Sequence, residues 1–411
     1  MDAAGNISWV ITATALVLLM TPGVAFFYGG LVKAKSVISM MMMSFGAIGL
    51  IAVLWILYGF AMSAVDSPTQ FAGNPFSDFG LAESATEPGA NVALLSVAYG
   101  ATFAIITVAL ISGAIADRAK FGPWLIYVGI FGTLGYFPIA AWVWGGGWIM
   151  NLGTWLFGAD SGIAVIDFAG GTAVHINAGA AALALAIVLG KRIGFQKGIQ
   201  KPHNVPLTLL GAALLWFGWF GFNVGAVWLS EDMAGAGLIA VNTLGAAAAG
   251  ILGWILVEKL KDGKPTSIGA VSGLVAGLVA ITPACANLTP GWSVLLGALA
   301  GVACALAVEL KFRLGFDDSL DVVGLHLVGG LLGTVYLGFF ATGQGVLVGG
   351  DLRLLAVQLI ASVGVMVYSF VASLAIGLLI EKTIGFRVNS EEEIAGVDQV
   401  VHGEAGYALV E

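Results

Sequence analysis

The chain has 411 residues, 59% of them hydrophobic and only 10% charged, with a formal net charge of −8 and a mean hydropathy of +0.98. A soluble domain carries about a quarter charged residues, so the composition excludes an ordinary water-soluble fold, and the acidic balance gives no support to nucleic-acid binding. The 60 glycines, a weakness for helices in water, suit helices whose backbones pack closely in lipid.

In chain order, apolar runs occupy roughly 7–31, 38–64, 93–116, 122–143, 163–190, 205–229, 235–257, 267–284, 292–310, 322–341 and 352–380. A membrane helix needs about 20 residues, which most of these runs supply. A closed barrel would instead need strands of about ten residues alternating apolar and polar. Ala178 to Leu189 (AGAAALALAIVL) does not alternate. The expected fold is therefore an all-α polytopic membrane protein with eleven transmembrane helices.

No positively charged segment precedes the first run, since the first basic residue is Lys33. That run is expected to be a helix of the mature fold rather than a signal peptide. Between the runs, Lys33, Lys35, Arg118, Lys120, Lys191, Arg192, Lys197, Lys201, Lys259, Lys261, Lys264, Lys311, Arg313, Lys382 and Arg387 all fall on one side. The other side receives only Arg353 and collects Asp66, Asp78, Glu83, Glu87 and Glu231. The positive-inside rule then puts the C-terminus in the cytoplasm and the N-terminus outside, in a plasma (inner) membrane. Cys285 and Cys304 fall at apolar helix positions and read as buried small side chains, not as a disulfide.

The fifth and tenth runs each carry a histidine eight residues after an aspartate: Asp167 and His175 in DFAGGTAVH, Asp318 and His326 in DSLDVVGLH. The runs are five helices apart, and an odd number of helices per half inverts the second copy. The pattern predicts an inverted five-plus-five repeat, with halves at about 1–190 and 205–341, plus an eleventh helix at 352–380. Residues 1–381 would form the transport domain and 382–411 a polar cytoplasmic tail. Asp318 is the pseudo-repeat partner of Asp167.

A membrane histidine is costly and normally faces a bundle interior or a pathway. Each imidazole could merely bond a neighbouring helix, but two in repeat-related runs favour a shared pathway. His203 and His402 fall in cytoplasmic segments. A His/Asp metal site lacks a third ligand at recognisable spacing, and no HExxH occurs. Asp167, near the outer end of its helix, has two compatible readings: a cap on the N-terminus, or a group that attracts a cation or accepts a proton. Trp144, Trp148 and Trp155 cluster near the outer interface. Phe103 and Phe222 lie inside the third and sixth runs and, by composition alone, read as lipid-facing or as packing.

Several segments, in order along nearly the whole chain, resemble the ammonium transporter family (Amt/Mep/Rh) on its Amt branch. They are FAIITVALISGAIADR at 103–118, YFPIAAWVWGGG at 136–147, DFAGGTAVHINAG at 167–179, GKRIGF at 190–195, KPHNVP at 201–206, WFGWFGFNVG at 216–225, TPACA at 282–286 and DDSLDVVGLH at 317–326. The resemblance implies a homotrimer of eleven-helix subunits, each with its own pore. It matches Phe103 and Trp144 to an outer vestibule that recruits ammonium, Phe103 and Phe222 to a stacked pair closing the pore entrance, and His175 and His326 to twin histidines lining the pore. Tyr136 and Trp219 match further pore-proximal aromatics, and Asp167 matches a carboxylate needed for transport. The sixth-run vestibule position, Ser in the best-known bacterial relatives, is Ala226 here, which implies weaker external binding. The tail segment VDQVVHGEAGY (397–407) resembles one that docks on the family's cytoplasmic face and supports block by a PII-type (GlnK) regulator.

No cofactor is expected. An ammonium sensor is a rival reading, although the added signalling domain such sensors often carry is not expected after Glu411. An electroneutral ammonia channel of the Rh branch is a second rival. A membrane enzyme would need a nucleophile, base and acid constellation that the runs do not supply.

Overall fold

The structure, a computed structural model, describes residues 3–195, 201–230 and 233–407. Lys197 and Glu231, two of the residues used to assign sidedness, lie outside the described residues. Among the described residues the architecture is all-helical, with a single isolated bridge between Ala119 and Arg387. Ten helical stretches are long and apolar enough to cross a membrane, which makes this a multi-pass membrane protein.

The helices that build the bundle are α1 (Ala3–Leu31), α2 (Val37–Leu54), α3 (Ala90–Ile111), α4 (Phe121–Phe131), α5 (Asn177–Leu189), α6 (Val205–Gly225), α7 (Ala236–Lys261), α8 (Ser267–Ile281), α9 (Pro290–Ala307), α10 (Val328–Phe340) and α11 (Leu352–Thr383). Wider π turns extend four of them: Trp55–Gly59 after α2, Gly132–Tyr136 after α4, Gly171–Ile176 before α5 and Val323–Leu327 before α10. The exception among the expected spans is α8. Its 15 residues rise about 22 Å, short of a hydrocarbon core about 30 Å thick. Thr266 caps its start by accepting from Gly269 N–H at 2.8 Å, and Pro283 follows two residues after its end, where no helical N–H is available.

The fifth run also begins later than its hydropathy suggests. Residues 162–170 are not helical, and Gly170, at φ +112°, turns the chain into the helix that starts at Gly171. Only glycine adopts that φ without a steric cost.

Close contacts between small residues hold the bundle. A Cβ on Gly211 of α6 would lie 2.2 Å from the backbone nitrogen of Phe27 on α1, so these two helices touch along their backbones. Leu260, Leu252 and Phe217 are exposed on the outside of their helices, as a surface solvated by lipid permits. Polar side chains cluster inside instead. Cys285 and Cys304 are buried and unpaired.

Candidate functional site

Both histidines sit in the widened turn that opens their helix. His175 N–H donates to Gly170 O at 3.0 Å, five residues back, within the π segment Gly171–Ile176. His326 lies in the corresponding segment Val323–Leu327. Such turns carry an extra residue per turn, redirect a side chain, and are frequent at functional sites.

Each segment is secured by the aspartate eight residues before its histidine. Asp167 Oδ1 accepts from Gly170 N–H at 2.9 Å and Gly171 N–H at 2.6 Å, and Oδ2 accepts from Thr172 and Ala173 N–H, both at 2.9 Å. These N–H groups are the ones a helix start leaves without partners, so the carboxylate satisfies the whole terminus. Asp318 is the weaker counterpart, accepting from Val323 N–H at 2.7 Å. Both aspartates are buried.

The two imidazoles meet, with 3.2 Å between His175 Nδ1 and His326 Nδ1 and their rings at 27° to each other. One nitrogen must donate and the other accept, so at least one ring is neutral. In a neutral pair the donating ring keeps an acceptor at Nε2, and the accepting ring keeps a donor there. His175 Nε2 is buried with no hydrogen-bond partner in the protein. A buried polar atom in that condition marks a place for a ligand or water.

Around this pair the aromatics stand in sequence. Trp144 meets Phe103 edge to face at 6.2 Å, and Phe103 stacks on Phe222 at 4.2 Å and 17°. Phe222 reaches His175 at 6.1 Å, and Trp219 stacks beside His175 at 5.5 Å. Trp144 Nε1 donates to Asp167 O at 2.8 Å, joining the outer aromatics to the His175 segment. Trp219 Nε1 donates to Thr282 Oγ1 at 2.8 Å.

A small cavity is lined by Phe222, Trp219, His175 and His326 together with Phe27, Tyr28 and Leu110. It leaves only about 10 Å³ to the centre of a water-sized molecule, the space of a single small guest. One helical turn further along α1, Leu31 helps line a second cavity of about 280 Å³, with Leu320, Asp321 and Lys311.

Phe103 and Phe222 are 5% and 0% exposed, respectively, so of the two readings that composition left open, lipid-facing or packing, the rings take the second and point into the bundle. Tyr136 stands off the cavity, its ring 6.3 Å from Trp55 and 6.4 Å from Phe137. Ala226 is buried where α6 ends, and its N–H donates to Asn223 O. Sequence reasoning did not single out Phe27 and Tyr28, although the VAFFYGG stretch closing the first run was an available signal. Tyr28 is held by a bond from its hydroxyl to Leu110 O at 3.1 Å.

Comparison with known proteins agrees with this geometry. The sequence profile of the Ammonium Transporter Family matches residues 8–407. An ammonium transporter of Mycobacterium tuberculosis (strain ATCC 25618 / H37Rv) is 48% identical over 441 aligned positions, covering 98% of this chain and 90% of that protein. Among solved structures, that of a sensor Amt protein superposes with a TM-score of 0.87 at 28% identity, covering 97% of this chain and 98% of its own. The crystal structure of Candida albicans Mep2 gives 0.83 at 32%, covering 95% and 88%. The family match spans residues 8–407 and so takes in both histidine segments: the chain belongs to the ammonium transporter family.

Proposed function

We propose that this protein carries ammonium across a plasma (inner) membrane, taking NH4+ at an external aromatic vestibule and passing NH3 along the histidine-lined cavity. The observation that carries the reading is the 3.2 Å contact between His175 and His326 inside that narrow cavity.

Energetics favour shedding the proton. A cation over the faces of Trp144 and Phe103 gains about 0.5–2 kcal/mol, enough to gather ammonium without trapping it. Moving the bare cation into an apolar passage costs several kcal/mol even after relaxation. With an amine-like pKa of roughly 9–10, deprotonation at pH 7 costs about 3–4 kcal/mol. Potassium has no proton to lose, so selectivity requires no carbonyl filter. NH4+ gives its proton to the Nε2 acceptor of the histidine pair. The Nδ1 contact hands a proton on to the second ring, which releases one from its own Nε2. The neutral guest gives and takes hydrogen bonds at the same atoms as it crosses, making the net cargo NH4+. Asp167 holds the His175 segment in place, and Phe103 over Phe222 acts as the entrance gate. Ala226 offers no hydroxyl, which weakens external recruitment without preventing transport.

The same reading counts α8 as a shortened eighth span, which brings the total to eleven, with inverted halves at about 1–190 and 205–341, the last span at 352–380 and a tail at 382–411. The two capped π segments, each with one histidine, support that symmetry. It takes the N-terminus as external, the tail as cytoplasmic, the assembly as a homotrimer and a PII-type (GlnK) regulator as a partner of the cytoplasmic face. A second reading, an ammonium sensor that barely conducts, draws on the likeness to the sensor Amt protein.

Proteoliposomes on a solid-supported membrane test these together. A saturable positive current after an ammonium jump, with none for potassium, is the expected result. No current with alkalinisation of the lumen would indicate an electroneutral ammonia channel, and silence in both measurements would favour the sensor.

A further inference from the structure

One side chain touches both members of the entrance stack. Tyr99 lies on α3, one helical turn before Phe103, and is fully buried. Its ring stands 5.0 Å from that of Phe103. Its hydroxyl reaches α6, donating to Gly221 O at 2.9 Å and Phe222 O at 2.8 Å.

The end of α6 is built to receive it. Ala226 N–H, which an unbroken helix would direct to Phe222 O, donates to Asn223 O at 3.3 Å. Gly225 supplies the space: a Cβ there would lie 2.7 Å from the Tyr99 hydroxyl oxygen and 2.9 Å from its Cε2. Phenylalanine at position 99 would keep the ring contact and lose only the tie to α6.

We propose that Tyr99 is the positioning residue of the entrance stack, fixing the spacing of Phe103 and Phe222 and so setting the size of cation that is admitted. The proposal rests on the reading of that stack as a gate. With α3 and α6 tied through one hydroxyl, the rings open by rotating in place and the helices do not part. A small cation passes such an opening, whereas one bearing a methyl group demands that the helices separate. Removing the hydroxyl lets the last turn of α6 move away from α3, and discrimination by size falls.

The test uses Tyr99→Phe and Phe222→Leu, singly and together, in proteoliposomes with ammonium and methylammonium jumps. In Tyr99→Phe the ratio of methylammonium to ammonium current is expected to rise about fivefold, the effect of one hydrogen bond. In the Phe222→Leu background the same substitution is expected to leave the ratio unchanged, because no stacked pair remains to be spaced. An unchanged ratio in Tyr99→Phe alone, or an equal rise in both backgrounds, overturns the proposal while leaving ammonium transport standing. Absence of both ammonium current and lumenal alkalinisation from the unsubstituted protein would overturn the transport reading and this proposal with it, and with alkalinisation alone the same ratio is read from its rate.

Discussion

Asp167 spends both of its oxygens on backbone N–H groups, two to each, at 2.6–2.9 Å. An amide at this position has one acceptor oxygen and one NH2 group, so Asp167→Asn points donors at donors along half of the cap. The nearly isosteric change is therefore expected to destabilise the protein by about 2–3 kcal/mol, the cost of leaving such buried groups without partners. Thermal unfolding in detergent measures it, and an unchanged midpoint would show that the cap is dispensable. The histidines behave differently. His175→Ala or His326→Ala removes a ring from a cavity wall and breaks the single Nδ1 contact, leaving the helix terminus and its cap intact. Each variant is expected to fold and to lose selective ammonium transport. Full current with potassium still excluded in either one would remove the pair from the pathway.

The helices that carry these histidines cross where side chains are smallest. A Cβ on Gly179 of α5 would stand 2.4 Å from Leu327 N and 2.7 Å from its Cα, backbone atoms of the segment that holds His326. Gly179→Ala must push the two segments apart, at a cost of about 1–3 kcal/mol for overpacking. It is expected to depress ammonium current and the unfolding temperature together. Gly49→Ala, where a Cβ meets nothing within 4 Å, serves as the neutral comparison. Equal behaviour of the two variants would refute the close crossing. At this scale the sequence was partly legible. The eight-residue spacing from Asp167 to His175 and from Asp318 to His326 announced two related segments, because a cap and its helix lie close in sequence. The π turns left no such mark, since GTAVHI and VGLHL are compatible with ordinary helix and the extra residue per turn is imposed by tertiary packing. Hydropathy also ran past the true start of the fifth helix, because residues 163–166 are apolar yet lie outside it. The stack of Phe103 on Phe222 joins α3 to α6, a contact between distant parts of the chain that periodicity alone does not reveal.

At the scale of the whole molecule, a cluster of ion pairs ties distant segments of the chain together. Arg192 lies just beyond α5. It donates to Asp317 through Nε and Nη2, both at 2.9 Å, and to Asp117 through Nη1 at 3.0 Å, drawing together the chain after α3, after α5 and before α10. Arg118 adds bonds to Asp317 O at 2.6 Å and to the Ser319 hydroxyl. The tail joins the same cluster, as Glu393 accepts from Ile193 N–H at 2.6 Å and from Arg387 at 2.8 Å. Burial pushes the Asp317 carboxyl up, but the hydrogen bond and charge of Arg192, with the charge of Arg118, bring it below the ordinary carboxylate range. A carboxyl lowered in the folded state stabilises the fold above its unfolded value near 4, and that contribution disappears as pH falls through the lower folded value. Arg192→Met keeps much of the side-chain length but leaves Asp117 and Asp317 without their shared partner. Breaking a buried ion pair from one side costs about 3–5 kcal/mol, because the charges left behind remain desolvated. The variant is therefore expected to unfold at lower temperature near neutral pH and to lose less of its remaining stability on acidification below about pH 4. Unfolding midpoints of the detergent-solubilised protein across that range give both readouts. If the midpoint and its acid dependence both match those of the unsubstituted protein, Arg192 does not tie the three chain segments together. If the midpoint falls while the acid dependence stays the same, Arg192 contributes packing, and the low Asp317 value is owed to Arg118.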